Sequence, residues 1–191
     1  MWCAGFVLAG GQSVRMGRDK ALLPYGPATL IEATASLVLA VTGHAAIIGD
    51  PLKYGQFGYP AHADRLPGHG PMGGLHAALN LGLADWNLVV ACDMPRLTAG
   101  LLSALLERAN SVADPQLACV APLGEQGEFE PLCAVYHSSC LPAVERALGE
   151  NRFRMRLLLS ELKTVDIGKW PSAVFANVNT PEEWAGLRRE N

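Results

Sequence analysis

The stretch LAGGQSVRMGRDKALL (residues 8–23) packs three glycines, two arginines, an aspartate and a lysine between two apolar segments. It follows the apolar run CAGFVLA (residues 3–9), which has the length and hydrophobicity of a buried strand. Gly10 and Gly11 can present backbone N–H groups without a Cβ in the way, which suits close approach to phosphate oxygens. The stretch therefore predicts a phosphate-binding loop at the carboxyl end of a first strand.

The glycine spacing excludes the two best-known phosphate loops. No Gly-Lys-Ser/Thr closes the stretch as in a Walker A loop, because Gly17 is followed by Arg-Asp-Lys. It is not the dinucleotide fingerprint Gly-x-Gly-x-x-Gly either, since its first two glycines are adjacent. A surface turn with solvated charges is the alternative, but a turn that only reverses the chain does not need so many cations. We therefore expect Arg15 and Lys20 to bind a polyphosphate.

Composition limits what the rest of the chain can be. The 191 residues are 50% hydrophobic and 17% charged, as expected for one compact globular domain. A net charge of −3 argues against a nucleic-acid binder with a general basic surface. The first apolar run is too short for a membrane span or a signal segment. Five cysteines without a Cys-x-x-Cys pair are typical of buried residues in a reducing compartment, so we expect a cytoplasmic protein with no membrane partner.

Apolar runs of strand length alternate with amphipathic segments of helix length. Near-continuous hydrophobicity over so few residues is typical of strands in a parallel sheet that is covered on both faces. This alternation predicts a doubly wound, mostly parallel α/β sheet with helices on both faces, in a single domain over residues 1–191. The strand candidates are residues 3–9, 44–49, 87–92, 117–122 and 132–136. The helix candidates are a segment capped by Thr29 and Glu32, residues 71–83, 99–110 and 138–148, and a last helix started by Thr180, Pro181 and Glu183.

Four motifs together resemble one family. The first loop closely resembles the signature loop of the molybdenum cofactor guanylyltransferases, the MobA family, which belong to a larger group of Rossmann-like nucleotidyltransferases. Three further stretches match that family in order: ADRLPGHGPMGGLHAAL (63–79), VVACDMPRL (89–97) and FANVNTPEEW (175–184). The matches cover nearly the whole chain, and the resemblance implies a nucleotide-diphosphosugar transferase type of fold with GTP bound by its N-terminal part and the acceptor side formed by roughly residues 120–180.

Two motifs carry candidate metal ligands. Asp93 follows an apolar strand, so its carboxylate faces the crevice where such sheets bind ligands, and a hard oxygen suits Mg²⁺. A helix-capping aspartate is the alternative reading. Asn177 and Asn179 precede the last predicted helix, where they are either turn residues or contacts to phosphate and metal. The resemblance implies Mg²⁺ as cofactor, with Asp93 and Asn179 as its ligands.

The remaining site residues come from the resemblance. It assigns Asp64 to GTP binding, whereas the sequence alone leaves a loop-capping role equally open, and it places part of the nucleoside pocket among the glycines of residues 68–74. His69 lies outside the family motif, and we expect no role for it. The implied catalytic residues are Arg15, Lys20 and Asp93, and the implied GTP-binding residues are Leu8, Ala9, Gly10, Gly11, Lys20, Asp64 and Asp93.

A basic cluster follows the fourth helix candidate. Arg152 and Arg156 are four residues apart and are expected to share a helix face, with Arg154 between them. The cluster is either a solvated face or a site for an anionic acceptor. Only Arg152 carries over from the family, and with Asn177 and Asn179 it forms the implied acceptor-binding set.

The resemblance implies transfer of GMP from GTP to molybdenum-molybdopterin, giving the guanine dinucleotide cofactor and pyrophosphate. A phosphate monoester is already anionic near neutral pH, so the attack needs no general base, and positioning with charge neutralisation carries the catalysis. Proteins of molybdenum cofactor biosynthesis, or acceptor enzymes, are the expected partners. Cytidylyl transfer to the same cofactor, transfer to a sugar phosphate, and a non-catalytic binding module for nucleotide or molybdenum cofactor are the alternatives.

Overall fold

The structure is a computed structural model that describes residues 2–10, 19–66, 68–178 and 183–184. The strands within these ranges are β1 (Cys3–Leu8), β2 (Pro24–Tyr25), β3 (Ala28–Thr29), β4 (Ala46–Ile48), β5 (Ala61–His62), β6 (Trp86–Ala91), β7 (Cys119–Leu123), β8 (Cys133–His137) and β9 (Thr164–Lys169). The α-helices are α1 (Leu30–Thr42), α2 (Pro51–Tyr54), α3 (Pro71–Asn80), α4 (Ala99–Ser111), α5 (Leu141–Gly149) and α6 (Met155–Glu161).

The main sheet is the predicted doubly wound, mostly parallel sheet. Within the described ranges its seven strands are ordered β5-β4-β1-β6-β8-β7-β9, and β2 pairs with β3 in a separate small hairpin. From β1 the chain moves outward to β4 and β5 on one side, and then returns to β6 on the other side of β1. The crossover direction therefore reverses between β1 and β6, and such reversals open the ligand crevice of α/β sheets.

Helices cover both faces of this sheet, as the sequence predicts. On one face, α1 and α4 bury Ile31, Val38 and Leu105 against β1 residues such as Val7. On the other face, α3, α5 and α6 pack against the alternate residues of β1, including Phe6. The alternation along β1 follows directly from the two-residue repeat of a strand between two apolar layers.

A glycine lets α1 lie close to β1. A Cβ on Gly5 would stand 2.2 Å from Cγ1 of Val38 and 2.6 Å from the carbonyl oxygen of His44. No larger residue fits at that position, so Gly5 determines how closely the first helix covers the central strand.

The predicted strands are found, and one of them runs against the common direction of the mostly parallel sheet. β8 is antiparallel to both β6 and β7, whereas the remaining pairings of the main sheet are parallel. The hydrophobicity of residues 132–136 does not indicate whether this strand runs parallel or antiparallel to its neighbours. Only residues 124–132 connect β7 to β8, which is shorter than the dozen or more residues that a parallel crossover needs.

Other local differences are smaller. The segment 138–148 begins with a 3₁₀ turn at Ser138–Cys140 before α5, and β2, β3, β9 and α2 were not predicted. Thr180 and Pro181, the predicted start of the last helix, lie outside the described residues, whereas Glu183 is helical. All five cysteines are buried and free, as expected. No helix in the described part of the chain is long and apolar enough to cross a membrane.

The predicted capping box starts α1. The Thr29 hydroxyl accepts from the Glu32 amide, and the Glu32 carboxylate accepts from the Thr29 amide at 2.8 Å and from the Thr29 hydroxyl at 2.7 Å. These two donors hold the pKa of Glu32 below its usual value. The charged carboxylate is therefore part of the cap.

We expect Thr29→Ala to lower the free energy of unfolding by about 1 kcal/mol at neutral pH, because the substitution removes the helix cap. A group with a lowered pKa stabilises the fold above its ordinary pKa and loses that contribution as pH falls through the lowered value. The difference between wild type and variant should therefore shrink in acid, as measured by urea denaturation. Thr29→Ser, which keeps the hydroxyl, should behave like wild type; a gap that is independent of pH would contradict a role for the Glu32 charge.

Candidate active site

The loops after β1 and β6 leave the sheet side by side. Leu8 lies opposite Ala91 at the end of the parallel pairing, and the amide of Cys92 donates to the Leu8 carbonyl oxygen at 3.1 Å. On the other side, the amide of Ala9 donates to the carbonyl oxygen of Ile48 at 2.8 Å. The end of β1 is therefore held between its two neighbours, and the next residue, Gly10, is exposed with open space where a Cβ would stand.

Lys20 and Asp93 meet at this edge, as their positions after β1 and β6 predict. The Lys20 Nζ atom lies 3.9 Å from Oδ2 of Asp93, and both side chains are largely buried, with 18% and 24% of their surface exposed. Lys20 begins a 3₁₀ turn, Lys20–Leu22, that is capped by the side chain of Asp19. The structure thus pairs the expected loop cation with the expected metal-binding carboxylate.

The surroundings of Asp93 favour its neutral, protonated form. Burial raises the pKa of Asp93, and the charge of Lys20 offsets only part of that effect. Burial also raises the pKa of the neighbouring Cys92 thiol far above its usual value, so Cys92 is a packed, protonated residue. Among the described residues, the charge of Lys20 therefore does not offset the full effect of burial on Asp93.

The segment before residue 179 returns to the same place. The amide of Val178 donates to the carbonyl oxygen of Asp93 at 3.0 Å, and Val178 is buried with Leu23, Leu30 and Trp184. Asn177 therefore lies next to the turn that carries Asp93. Three of the predicted site residues, Gly11, Arg15 and Asn179, lie outside the described residues.

Asp64 is held at the first turn of α3. Its Oδ1 atom accepts from the amide of Leu66 at 2.8 Å, and a Cβ on Gly73 would lie only 2.7 Å from its Oδ2 atom. A Cβ on Gly74 would stand 3.1 Å from a methyl group of Leu8. The two glycines therefore bring the start of α3, and Asp64 with it, to the end of β1. Asp64 closes a local loop here, and it also lies at the edge that carries Lys20.

The prediction that Arg152 and Arg156 share a helix face is wrong. Asn151 adopts a left-handed conformation with φ of 56°, so α5 ends before Arg152, and α6 does not begin until Met155. The two side chains consequently point to different partners. Arg152 forms ion pairs with the carboxylates of Glu150 and Glu161.

Arg156 instead faces the connection between β7 and β8. Its Nη2 atom lies 3.2 Å from Oε1 of Glu130, and its Nε atom donates to the carbonyl oxygen of Phe129 at 3.2 Å. Burial raises the pKa of Glu130, and Arg156 partly opposes that shift. Arg154, between them, is exposed. The basic cluster is therefore divided among three environments.

Sequence reasoning missed two groups near the crevice. Asp19 binds Lys53 and Tyr54 of α2, although nothing in the sequence links those residues. The ring of His69, for which no role was expected, packs edge-on against Phe153 with centroids 4.8 Å apart. Neither contact has a periodic signature, because each joins segments that are distant in sequence.

In the described part of the chain, no three His, Cys, Asp or Glu side chains lie close enough together to hold a metal ion. Among the described residues, Asp93 therefore does not belong to a group of three such side chains. Magnesium sites that bind a nucleotide commonly use one or two carboxylates, with the remaining ligands supplied by phosphate and water.

Comparisons with known proteins agree with this architecture. The family model described as the MobA-like NTP transferase domain matches residues 5–165. The molybdenum cofactor guanylyltransferase of Xanthomonas euvesicatoria pv. vesicatoria is 36% identical, over 98% of this chain and 95% of the relative. A probable molybdenum cofactor guanylyltransferase of Carboxydothermus hydrogenoformans is 30% identical, over 95% of this chain and 92% of the relative.

Two solved structures share the fold. Molybdopterin-guanine dinucleotide biosynthesis protein A of Archaeoglobus fulgidus superposes with a TM-score of 0.79 at 22% identity, over 98% of this chain and 97% of that one. CMP:2-keto-3-deoxy-manno-octonic acid synthetase in complex with CTP gives a TM-score of 0.75 at 15% identity, over 98% and 97% of the two chains. At these identities the likeness establishes the fold alone.

The Lys20–Asp93 pair can be tested by titration. We expect Lys20→Met to raise the pKa of Asp93 further, because it removes the cation that favours the charged carboxylate. Carboxyl carbon NMR of Asp93 measures this directly. Lys163→Met, which breaks the ion pair with Asp114 at the opposite edge of the sheet, should leave the Asp93 titration unchanged. An unshifted or lowered Asp93 pKa in Lys20→Met would contradict the pairing.

Proposed function

The chain belongs to the MobA-like NTP transferase family, and we propose that it transfers GMP from GTP to molybdenum-molybdopterin with release of pyrophosphate. The observation that carries the proposal is the meeting of Lys20 and Asp93 where β1 and β6 end. The names of the relatives at 30% and 36% identity support the choice of substrates. The enzyme class, nucleotidyltransferase, follows from the same relatives and the family.

The reaction is an in-line displacement at the α-phosphorus of GTP. An oxygen of the acceptor's phosphate forms the new bond, while the bond from the α-phosphorus to the bridging oxygen of the β-phosphate breaks, and its electron pair leaves with pyrophosphate. The acceptor oxygen is already ionised, so the protein need not remove a proton. What the chain supplies is position and positive charge, through Lys20 and, from the same loop, Arg15.

We propose Mg²⁺ as the cofactor because the chemistry of Asp93 fits it. The carboxylate is a hard oxygen donor, and burial raises its pKa more than the charge of Lys20 lowers it. We assign Asp93 as a ligand, with Asn179 as a second one. Bound Mg²⁺ would neutralise phosphate charge and orient the phosphate oxygens. The protein's own part is to hold Asp93 rigidly, through the buried end of β6 and the Val178 amide on its carbonyl oxygen.

The nucleotide side of the proposed site is formed by the end of β1, the first loop and the start of α3. Leu8 and Ala9 are buried at the end of β1, and Gly10 leaves room for a phosphate to approach the backbone. Asp64 retains free acceptor capacity at Oδ2, which suits a hydroxyl or amino group of a nucleoside. These positions, with Gly11, Lys20 and Asp93, are the proposed GTP contacts.

The acceptor side is proposed around Asn177, Asn179 and Arg152. The carboxylates of Glu150 and Glu161 hold Arg152, so an acceptor phosphate must share or displace these partners. Proteins that deliver molybdenum-molybdopterin or receive the dinucleotide cofactor are the proposed protein partners. No feature of the described surface favours a nucleic acid, in keeping with the net charge of −3.

The function is tested by incubating purified protein with molybdenum-molybdopterin, Mg²⁺ and either GTP or CTP. We expect pyrophosphate and the guanine dinucleotide product with GTP, and loss of both when the divalent cation is chelated. The cytosine dinucleotide product would identify a cytidylyltransferase, and transfer only to sugar phosphates would identify a different acceptor class. Nucleotide binding by folded protein without turnover would identify a binding module.

Asp93→Asn in the same assay should lower the transfer rate at least about a hundredfold, because an amide cannot supply the negative charge that holds the cation. Asp114→Asn is the matched control, since it removes an ion-paired carboxylate from the opposite edge of the sheet. Normal turnover by a folded Asp93→Asn protein would remove Asp93 from the mechanism.

We expect Arg152→Ala to raise the KM for molybdenum-molybdopterin more than the KM for GTP, because the proposed phosphate contact belongs to the acceptor. Steady-state kinetics with each substrate varied in turn measure the two values. Arg146→Ala is the control, because Arg146 also faces Glu161, with its Nη2 atom 3.7 Å from the carboxylate, but lies on α5. Equal losses for both substrates would contradict the acceptor role of Arg152.

A further inference from the structure

We propose that Lys53 and Tyr54 of α2 are positioning residues for nucleotidyl transfer: they hold Asp19 and thereby fix Lys20 opposite Asp93. The three residues Asp19, Lys53 and Tyr54 are called the Asp19 clamp below. The inference rests on the proposed function for the reaction that Lys20 serves. The clamp itself is inferred from contacts among the described residues.

The clamp occupies both oxygens of the Asp19 carboxylate. The Tyr54 hydroxyl donates to Oδ2 at 2.7 Å, and the Lys53 ammonium forms an ion pair with the same oxygen. The other oxygen, Oδ1, accepts from the amide of Ala21 at 3.0 Å. Hydrogen bonds to a charged group are the stronger kind, so the backbone that carries Lys20 is fastened on both sides of that residue.

A missing side chain allows Tyr54 to reach the loop. Tyr54 is buried, and a Cβ on Gly49 would lie 2.7 Å from its ring and 2.4 Å from the carbonyl oxygen of Ala9. Gly49 therefore lets the tyrosine ring lie directly beneath the point where the chain leaves β1. Both ends of the first loop, at Ala9 and at Asp19, are consequently held against one short segment, residues 48–54.

Charge explains why the clamp matters for Lys20. The donors from Lys53 and Tyr54 keep the pKa of Asp19 below its usual value although burial opposes this, so Asp19 is ionised. Burial and the Asp19 charge raise the pKa of Tyr54, so its hydroxyl stays a donor. An ionised Asp19 without Lys53 would attract the neighbouring Lys20 ammonium. With Lys53 in place, that charge is neutralised, and Lys20 faces Asp93 and the crevice.

The clamp also accounts for an acidic residue inside a phosphate loop. A free carboxylate next to Lys20 would repel a triphosphate and weaken the loop. Asp19 avoids this because its two oxygens are directed toward α2 and the Ala21 amide. Its contribution is therefore to the position of Lys20, and it does not need to touch the nucleotide.

The test measures whether the clamp acts through Lys20. Tyr54→Phe removes only the hydroxyl, and Lys53→Met removes the charge but keeps the stem. Each should lower kcat/KM for GTP about tenfold while the KM for the acceptor changes less than about twofold, as expected for loss of one charge-assisted contact on the nucleotide side. Lys53→Arg should restore most of the activity. The matched control is Lys163→Met, whose ion pair with Asp114 is similarly exposed but lies at the opposite edge of the sheet.

The decisive comparison uses Lys20→Ala as background. If the clamp acts by positioning Lys20, Tyr54→Phe should cause no further loss of GTP affinity or turnover once Lys20 is gone. The same fold loss in both backgrounds would overturn the proposal, as would wild-type kinetics in folded Tyr54→Phe and Lys53→Met proteins. Urea denaturation establishes folding, and Lys53→Met serves if Tyr54→Phe fails to fold.

Calorimetric titration with GTP separates this inference from the proposed function. If wild type binds GTP but transfers nothing, the proposed function fails, and the clamp is still judged from GTP affinity across the four combinations of Tyr54→Phe and Lys20→Ala. Non-additive losses support the clamp, and additive losses overturn it.

Discussion

The candidate site depends on the parallel pairing of β1 with β6. The two strands are in register up to Leu8 and Ala91, so both chains leave the sheet at the same level. The next residues are the first loop on one side and the turn with Asp93 on the other. Because the crossovers diverge at this point, a crevice is expected between the carboxyl ends of the two strands. A register shift of one residue would turn the side chains of β6 to the opposite face and move Asp93 away from Lys20.

The whole chain carries a net charge of −3, but Lys20 places a positive charge at this edge of the sheet. Two carboxylates near Lys20, those of Asp19 and Asp93, have different electrostatic surroundings. Asp19 is compensated internally by Lys53 and Tyr54, and its pKa is lowered. Asp93 is compensated only in part, and burial raises its pKa. Asp19 is therefore satisfied by neighbouring residues, whereas Asp93 has more to gain from an added cation, which agrees with the proposed polyphosphate site.

How much the sequence could predict depended on how far apart along the chain the interacting residues lie. The cap of α1 is local, so Thr29 and Glu32 identified it, and the meeting of Lys20 with Asp93 followed from the rule that parallel strands end at one edge. The shared helix face of Arg152 and Arg156 was wrong because a single left-handed residue, Asn151, ends α5 early. The Asp19 clamp depends on the absence of a Cβ at Gly49, and hydrophobic periodicity carries no information about such tertiary contacts.

The two walls of the crevice are coupled through packing. Gly74 brings α3 against Leu8, and Gly73 brings it against Asp64, so the wall on the proposed nucleotide side is built on the start of α3. The wall on the proposed acceptor side is the segment after α5, and α5 packs on α3. His69 and Phe153 then join the two walls directly through their rings. Because interiors are close-packed, a larger residue at Gly73 would displace the start of α3 from Asp64 and Leu66. The glycine pair therefore determines how closely the start of α3 lies against Leu8 and Asp64.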